Sequence, residues 1–251
     1  MTLNCYLEAL TNAQSLEELW DMHCRKMEEY GFDRLLYAFT HYRVGASLGA
    51  PEDFVILTNH PTSYVETFIA DGHYLHGPMV RWVLDNEGAC SWRFVSDLVN
   101  SRKLTPAEER VIQLNQAHKV LAGYSISFRT VSPRAKGGIA LTARADLLQD
   151  QVDEIWAQHG QDILVMNNVA HLKILTLPYT APGRSLTRRQ REALGWVGDG
   201  KTTQDIAVLM GLTPATVEKH LRLAREALNV ETTAQAVLKA AFQNQIFIMD
   251  T

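Results

Sequence analysis

Cysteine is scarce in this 251-residue chain, which has only Cys5, Cys24 and Cys90, at wide spacings. An odd and dispersed set indicates reduced thiols rather than a disulfide framework. The sequence also lacks an apolar run of the roughly 18 residues that cross a bilayer. Its first ten residues show neither the basic nor the apolar region of a signal peptide. We therefore expect a cytoplasmic protein that has no membrane contact.

The net charge is also small, at −4 by formal count. The content of 46% hydrophobic and 21% charged residues is typical of a globular chain. The charge is unevenly spread. Residues 184–251 carry nine Lys or Arg against seven Asp or Glu, whereas the residues before them carry 15 against 21. An acidic body with a mildly basic tail favours DNA contact through the tail.

Residues 1–176 predict an α+β domain, an α/β/α sandwich around an antiparallel sheet of four or five strands. The first 30 residues follow one helical pattern that ends at Gly31. Thr105, Pro106 and Glu108 form a strong helix start. The predicted strands are 34–43, 54–59, 123–131 and 137–144, and the other predicted helices are two pieces within 62–86 and a long one over 149–176.

A segment with two prolines and a glycine, residues 177–185, is the predicted linker to a second domain over 186–251. This domain has the pattern of four short helices. Thr187 and Gln190 form a capping box for the first, Thr202 or Thr203 opens the second, Thr213 and Pro214 open the third, and Thr232 or Thr233 opens the fourth. Helix, short glycine turn and second helix is the helix-turn-helix pattern.

The third of these helices has one narrow apolar stripe, because at about 100° per residue its apolar residues share one side. The stripe is Val217, Leu221, Ala224 and Leu228. On the opposite side, Lys219 and Arg222 are expected to reach guanine or phosphates in the major groove, and Glu218 to accept from cytosine. The predicted DNA-binding residues are Thr203, Thr213, Ala215, Thr216, Glu218, Lys219, Arg222 and Arg225. The alternative interpretation is a helical subdomain without a DNA-binding role, whose charged face is only solvated.

The tail resembles the LuxR-type helix-turn-helix. The resemblance covers about residues 184–248 and rests on Leu186-Thr187, Leu194, Gly200-Lys201-Thr202, Ile206-Ala207, Thr216-Val217, His220, Leu228 and Ala236-Val237. Gln190 stands where the family usually has Glu, and Gln can still close the capping box. The resemblance implies a four-helix domain that binds DNA.

The N-terminal part is similar, more weakly and over about residues 60–145, to the autoinducer-binding domain of quorum-sensing LuxR regulators. Pro78, Trp92 and Gly123 match the family's pattern. The resemblance implies a pocket for an acyl-homoserine lactone or another small amphiphile. The expected ligand-binding residues are Ala38, Thr40, His60, Tyr64, Phe68, Met79, Trp92 and Ala140. Of these, Ala38 and Thr40 lie with Leu36 on one face of the predicted strand, which meets either the pocket or the sheet's other core.

Several pocket positions depart from the family. Tyr64 stands for a Trp that donates to the lactone carbonyl, and its hydroxyl can donate instead. Gly77 stands for an Asp that accepts the ligand's amide N–H, and glycine has no side chain to do so. The loss of such a bond costs about 1.5–3 kcal/mol, which an acyl tail can offset at about 0.8 kcal/mol per buried CH₂. Three hypotheses stay open: a long-chain acyl-homoserine lactone, a different amphiphile, or ligand-independent action.

The sequence thus predicts a transcriptional regulator of quorum-sensing type, a homodimer on a palindromic operator of double-stranded DNA. Helix 149–176 and the last helix are the expected dimer elements. An enzyme acting on the same small molecule and a phosphoryl-receiving response regulator are the rival classes. Neither has the motif it needs, so no enzyme and no cofactor are expected. His73 and His76 have metal-ligand spacing but no third ligand, so no metal is expected.

Overall fold

The computed structural model describes residues 2–45, 47–180 and 185–246. The chain forms two compact units, Met1–Leu175 and Thr176–Thr251. Residues 181–184, the middle of the predicted linker, lie outside the described residues. No helix within the described ranges is long and apolar enough to cross a membrane.

The first unit combines a sheet with helices before, between and after its strands. Its strands are β1 (Phe32–Thr40), β2 (Val55–Thr58), β3 (Gly88–Ser91), β4 (Gly123–Ser127) and β5 (Lys136–Ala143). Its helices are α1 (Leu3–Asn12), α2 (Leu16–Glu28), α3 (Thr62–Val65), α4 (Pro78–Asp85), α5 (Arg93–Asn100), α6 (Pro106–Ala117) and α7 (Gln149–Ile174). A π-helical turn, Glu66–Ala70, continues α3.

The five-stranded sheet has the order β2-β1-β5-β4-β3, and every neighbouring pair is antiparallel. This confirms the predicted α+β class and antiparallel sheet. The sequence reading missed β3 and α5. A strand of four residues and a helix of eight are too short to show a clear period, and Gly88 to Ser91 are poor strand formers.

Alternate residues of β1 face different helical layers. Leu35 and Tyr37 are fully buried on the side where α1, α2 and α7 pack. Leu36 and Ala38 point to the other side, towards α3 to α6, and are only half-buried. The sheet therefore lies between two helical layers, and one of its faces is incompletely covered.

The N-terminal segment is two helices, so the prediction of one helical segment was wrong. Ser15 caps α2, because its side chain accepts from the backbone N–H of Glu18 at 3.1 Å. The Glu18 carboxylate in turn accepts from the backbone N–H of Gln14 at 2.9 Å. This reciprocal cap begins a new helix inside a continuous apolar pattern, so the pattern alone does not reveal the start of α2.

The second unit contains four helices within the described residues, α8 (Arg188–Gly198), α9 (Thr203–Met210), α10 (Pro214–Leu228) and α11 (Thr233–Phe242). The capping box of Thr187 and Gln190 is present, as predicted. Thr202 and Thr232 are the caps of α9 and α11, which decides between the neighbouring threonines. Gly211, at φ +64°, makes the turn between α9 and α10.

A buried histidine joins the three helices on one side of the sheet in the first unit. The Tyr6 hydroxyl lies 2.7 Å from Nδ1 of His23, and Nε2 of His23 lies 3.0 Å from Oδ1 of Asn167. Asn167 donates its amide to the carbonyl of Ile163, so its oxygen accepts and His23 donates through Nε2. Burial lowers the pKa of His23 to about 4, despite its bond to Asn167, which raises the pKa. The neutral ring is therefore the form that the fold holds.

We predict that acid destabilises the first unit through its buried histidines. Burial is the main cause that lowers the pKa of His23, His60 and His171 to about 4. Since an unfolded histidine titrates near 6.5, the unfolded chain binds more protons between these values. Stability is therefore complete above about pH 6.5 and falls as the pH drops towards 4. Each histidine contributes about 2 kcal/mol of loss between pH 7 and 5.

The measurement is the free energy of unfolding in urea at both pH values, followed by tryptophan fluorescence. His23→Gln should reduce the pH dependence by about one third, whereas the matched change at exposed His76 should leave it unchanged. An unaltered pH dependence in His23→Gln would contradict the assignment.

Candidate ligand cavity and nucleic-acid interface

A cavity of about 440 Å³ lies in the first unit between the sheet and the layer of α3 to α6. Its floor follows from the register of β1 and β5, which places Leu36 opposite Ala140, Ala38 opposite Gly138, and Thr40 opposite Lys136. Alternate strand residues share a face, and most of those on this face are small. These small residues leave space between the floor and the helical layer, although Val83 of α4 comes close to the backbone of Gly138.

All the predicted ligand-site residues line this cavity. They are Ala38, Thr40, His60, Tyr64, Phe68, Met79, Trp92 and Ala140. Gly77 and Pro78 also line it. The structure thus brings together residues from β1, α3, α4, β5 and the start of α5 that are up to about a hundred positions apart in sequence.

An aromatic stack forms one wall. The rings of His60 and Tyr64 are 4.7 Å apart, and those of Tyr64 and Phe68 are 5.4 Å apart with nearly parallel planes. Tyr64 and Phe68, four residues apart, share one side of the helical segment that begins at α3, and His60 lies just before this segment. Stacking and burial hold these rings against Val111 and Val120, so the wall is formed without a ligand.

The polar groups of the wall already have protein partners. The Tyr64 hydroxyl donates to Oδ1 of Asn115 at 3.0 Å, and Nε1 of Trp92 donates to Oγ of Ser125 at 2.9 Å. Burial raises the pKa of Tyr64, so the hydroxyl keeps its proton. The sequence reading expected this hydroxyl to be available to a ligand, and the structure gives its proton to Asn115 instead.

Asn115 and Ser125 line the cavity, and sequence reasoning missed both. A usable signal existed for Ser125. It lies opposite Ala140 in the pairing of β4 with β5, so any reading that put Ala140 at the pocket also puts Ser125 there. Asn115 follows Val111 by one helical turn on α6, but helical spacing alone does not indicate which of several polar residues turns inward.

The far end of the floor carries Thr40 and Lys136. The Thr40 hydroxyl donates to the carbonyl of Leu48 and accepts from the backbone N–H of Tyr42, each at 3.0 Å, so it has no proton left for a ligand. Lys136 is 8% exposed and donates to the carbonyl of Asn86 at 2.9 Å. Burial lowers the pKa of this lysine.

Two glycines shape the wall in different ways. A Cβ on Gly123 would come within 2.2 Å of the carbonyl of Leu141 and 3.1 Å of the Trp92 ring, so only glycine fits there. A Cβ on Gly77 would lie 3.1 Å from Cγ2 of Val80, a tight contact that a small shift relieves, and 3.4 Å from the carbonyl oxygen of Tyr74, which is an ordinary contact. Packing therefore requires glycine less strictly at position 77 than at position 123.

Helix α10 of the second unit buries its predicted stripe. Val217, Leu221, Ala224 and Leu228 are buried, which confirms the inward face. Ala215, Lys219 and Arg222 are exposed on the opposite side. The cations therefore project away from the core of this unit, as the helical geometry predicted.

The charged residues on and beside this face differ in what they bind. Lys219 has no hydrogen bond or ion pair with any described residue. Arg222 pairs with Glu226 at 2.5 Å, and both side chains are exposed. Glu218 accepts from the Thr203 hydroxyl at 2.8 Å, so the predicted role in accepting from cytosine has a competitor within the protein. Nη1 of Arg225 donates to Thr233 of α11 at 2.8 Å.

The turn before α10 is closed by threonine hydroxyls. Thr213 caps the helix through the backbone N–H of Thr216 at 3.2 Å, and the two hydroxyls lie 2.9 Å apart. The free backbone N–H groups of this turn point along the helix axis, where the helix dipole favours an anion.

Within the described ranges, no group of three or more His, Cys, Asp or Glu side chains is placed to hold a metal ion.

Comparison with known proteins gives both units a family. The model of the autoinducer binding domain matches residues 15–174, and that of the bacterial regulatory proteins of the luxR family matches residues 184–240. The transcriptional activator ExpR of Dickeya dadantii is 26% identical over 88% of each chain. The crystal structure of SdiA from Escherichia coli has a TM-score of 0.52 at 18% identity over 98% of each chain.

A second solved structure is similar in fold to part of this chain. CepR2 of Burkholderia cenocepacia, described as an N-acylhomoserine lactone dependent factor, has a TM-score of 0.52 at 17% identity and covers 68% of this chain and 92% of its own. SdiA has also been solved in complex with octanoyl-rac-glycerol. Because the family model of the first unit alone spans more than half of the sequence, this chain belongs to the LuxR family of bacterial transcriptional regulators with an autoinducer-binding domain.

Proposed function

We propose that this regulator binds a small acyl amphiphile, an acyl-homoserine lactone or a related compound, and in response changes its binding to DNA. The observation that carries the proposal is the cavity of about 440 Å³, which a single face of small floor residues keeps open. A mostly apolar space of this size between two layers is suited to a small molecule.

The cavity lining supports an acyl chain. Side chains of α4 and α5, among them Val83, Val95 and Val99, face the cavity, and α5 has no buried residue of its own. An acyl chain in this space would cover these apolar groups at about 0.8 kcal/mol per buried CH₂. A ligand that binds only the folded chain stabilises it by mass action.

The exposed cations of α10 support the DNA-binding role of the second unit. Lys219 and Arg222 project from a helix that Val217 and Leu221 hold against the core. A helix presented in this way fits the major groove, and the N-terminal turn at Thr213 meets a phosphate. The proposed set of DNA contacts is that predicted from the sequence, with Glu218 and Arg225 acting by holding α9 and α11 to α10.

A homodimer on a palindromic operator, in the cytoplasm, completes the proposal. Two copies that share a twofold axis would place two α10 helices in major grooves about one helical turn apart. Exposed apolar side chains lie on the two expected dimer helices, with Leu172 of α7 63% exposed and Leu238 of α11 48% exposed.

We predict that Ala140→Phe separates ligand binding from folding. The larger side chain would fill the floor of the cavity beside Leu36, which should stabilise the ligand-free chain and weaken the binding of an acyl ligand tenfold or more. Thermal unfolding with and without N-octanoyl-homoserine lactone measures both effects. Val131→Phe, at an exposed position outside the cavity, is the control. A ligand-induced shift equal to that of the wild type would contradict the site.

We predict that Lys219→Ala and Arg222→Ala each weaken DNA binding by about tenfold or more, as expected for cations that contact bases or phosphates. The probe is the duplex that the wild-type chain enriches from a random library, and the readout is a gel-shift titration. Arg189→Ala on α8 removes the same charge away from α10 and should bind as the wild type does. If both α10 variants kept wild-type affinity, α10 would not be the recognition helix.

A further inference from the structure

One end of the cavity floor holds a buried cation. Lys136 begins β5 opposite Thr40 of β1, on the same face of the sheet as Gly138, and only 8% of it is exposed. Its side chain lines the cavity and reaches the end of α4, where Nζ donates to the carbonyl of Asn86 at 2.9 Å. An ammonium group has three N–H donors. Lys136 makes no second hydrogen bond and no ion pair with a described residue, so two of these donors have no protein acceptor there.

The cap of α4 does not by itself account for this buried charge. The Ser127 hydroxyl also donates at this helix end, to the carbonyls of Asn86 at 2.6 Å and of Val83 at 2.8 Å. The carbonyl that Lys136 binds thus has a neutral donor already. A charge that is removed from water only for this carbonyl would keep most of its desolvation cost.

The charged residues around Lys136 do not supply a close counter-ion. Burial, the largest effect, lowers the pKa of this lysine, Glu87 and Asp85 raise it, and Arg43 lowers it further. Both carboxylates are exposed, and that of Glu87 pairs with Arg129 at 2.8 Å. Neither carboxylate forms an ion pair with Lys136. An anion brought to the cavity side of the ammonium group would therefore find two free donors and an unpaired charge.

The rest of the cavity adds no negative charge. Among the described residues that line it, Lys136 is the only Asp, Glu, Lys or Arg. His60 also lines the cavity, but burial lowers its pKa to about 4, so its ring is neutral near pH 7. The lining therefore carries one formal positive charge in largely apolar surroundings, where opposite charges attract each other more strongly than in water. A carboxylate gains from this field, and a ligand cation is repelled by it.

We infer that the cavity takes an acyl compound with a carboxylate, such as a medium-chain fatty acid, whose two oxygens accept the free N–H groups of Lys136. The chain then lies over the small floor residues Ala38 and Gly138 towards the aromatic wall. From Thr40 to Leu36 the floor runs about 13 Å, at the usual rise of a strand. This inference rests on the ligand-binding role proposed above and adds the charge and the orientation of the ligand.

Matched head groups on one chain length test the inference with the full-length protein near pH 7. Octanoic acid, octanamide and octylamine are negative, neutral and positive there. Isothermal titration below the micelle concentration gives the three affinities. We expect the acid to bind at least tenfold tighter than the amide, and the amine to bind more weakly than the amide. An amide that binds as tightly as the acid would overturn the inference.

Lys136→Met connects the preference to this residue. Methionine keeps a flexible apolar stem and removes the charge, so the acid should lose at least tenfold in affinity while the amide changes little. Lys103→Met removes the same charge at an exposed position outside the cavity and should keep the wild-type preference. If octanoic acid bound Lys136→Met as tightly as the wild type, the pairing with Lys136 would be wrong. The wild-type comparison still decides the inference if Lys136→Met does not fold.

A second pair of compounds separates two sources of the carboxylate. N-Octanoyl-homoserine lactone is neutral, whereas its ring-opened form, N-octanoyl-homoserine, carries a carboxylate. Tight binding of octanoic acid or of the opened form supports the inference, and the tighter of the two names the source. If the lactone alone bound, the inference would fail and the ligand-binding role would stand. If no compound bound or shifted the thermal unfolding of the chain, both would fail.

Discussion

Small side chains on one face of the sheet decide the architecture of the first unit. Ala38 and Gly138 meet across β1 and β5, with Ala140 at the next pair but one along β5. On the opposite face Leu35, Tyr37 and Leu141 are buried against α1, α2 and α7. One helical layer thus packs against buried side chains of the sheet, and the other leaves a cavity over the small residues. The aromatic stack of His60, Tyr64 and Phe68 keeps the cavity open, because stacked and buried rings hold this wall in place without a bound ligand.

The polar network around the cavity has a double use. Ser125 orients the Trp92 ring, and Asn115 orients the Tyr64 ring, so both fix the shape of the wall. The Ser125 proton and the amide N–H groups of Asn115 have no acceptor among the described residues, so both side chains keep donors at the cavity.

Much of the fold could be predicted from the sequence. The caps of α6 and α8 and the apolar stripe of α10 are local patterns, and the structure reproduces them. The cavity residues came from a family resemblance and, for Ala38 and Thr40, from strand alternation, and all of those named line the cavity. The roles of Asn115 and Lys136 could not be predicted, because they depend on the register of distant strands and on which helical side faces the sheet. The break at Ser15 was missed because a cap within a continuous apolar pattern does not interrupt its period.

The ion pair of Arg222 with Glu226 on α10 has a consequence for ionic strength. A cation that a neighbouring carboxylate already neutralises displaces fewer counterions when it meets a phosphate than a solitary cation does. Lys219 is such a solitary cation, since it has no ion pair with any described residue. Added salt screens both the ion pair of Arg222 and the DNA contact proposed for this residue, and these two losses have opposite effects on DNA binding. Lys219 should therefore dominate the salt sensitivity of the helix, although both side chains carry the same formal charge.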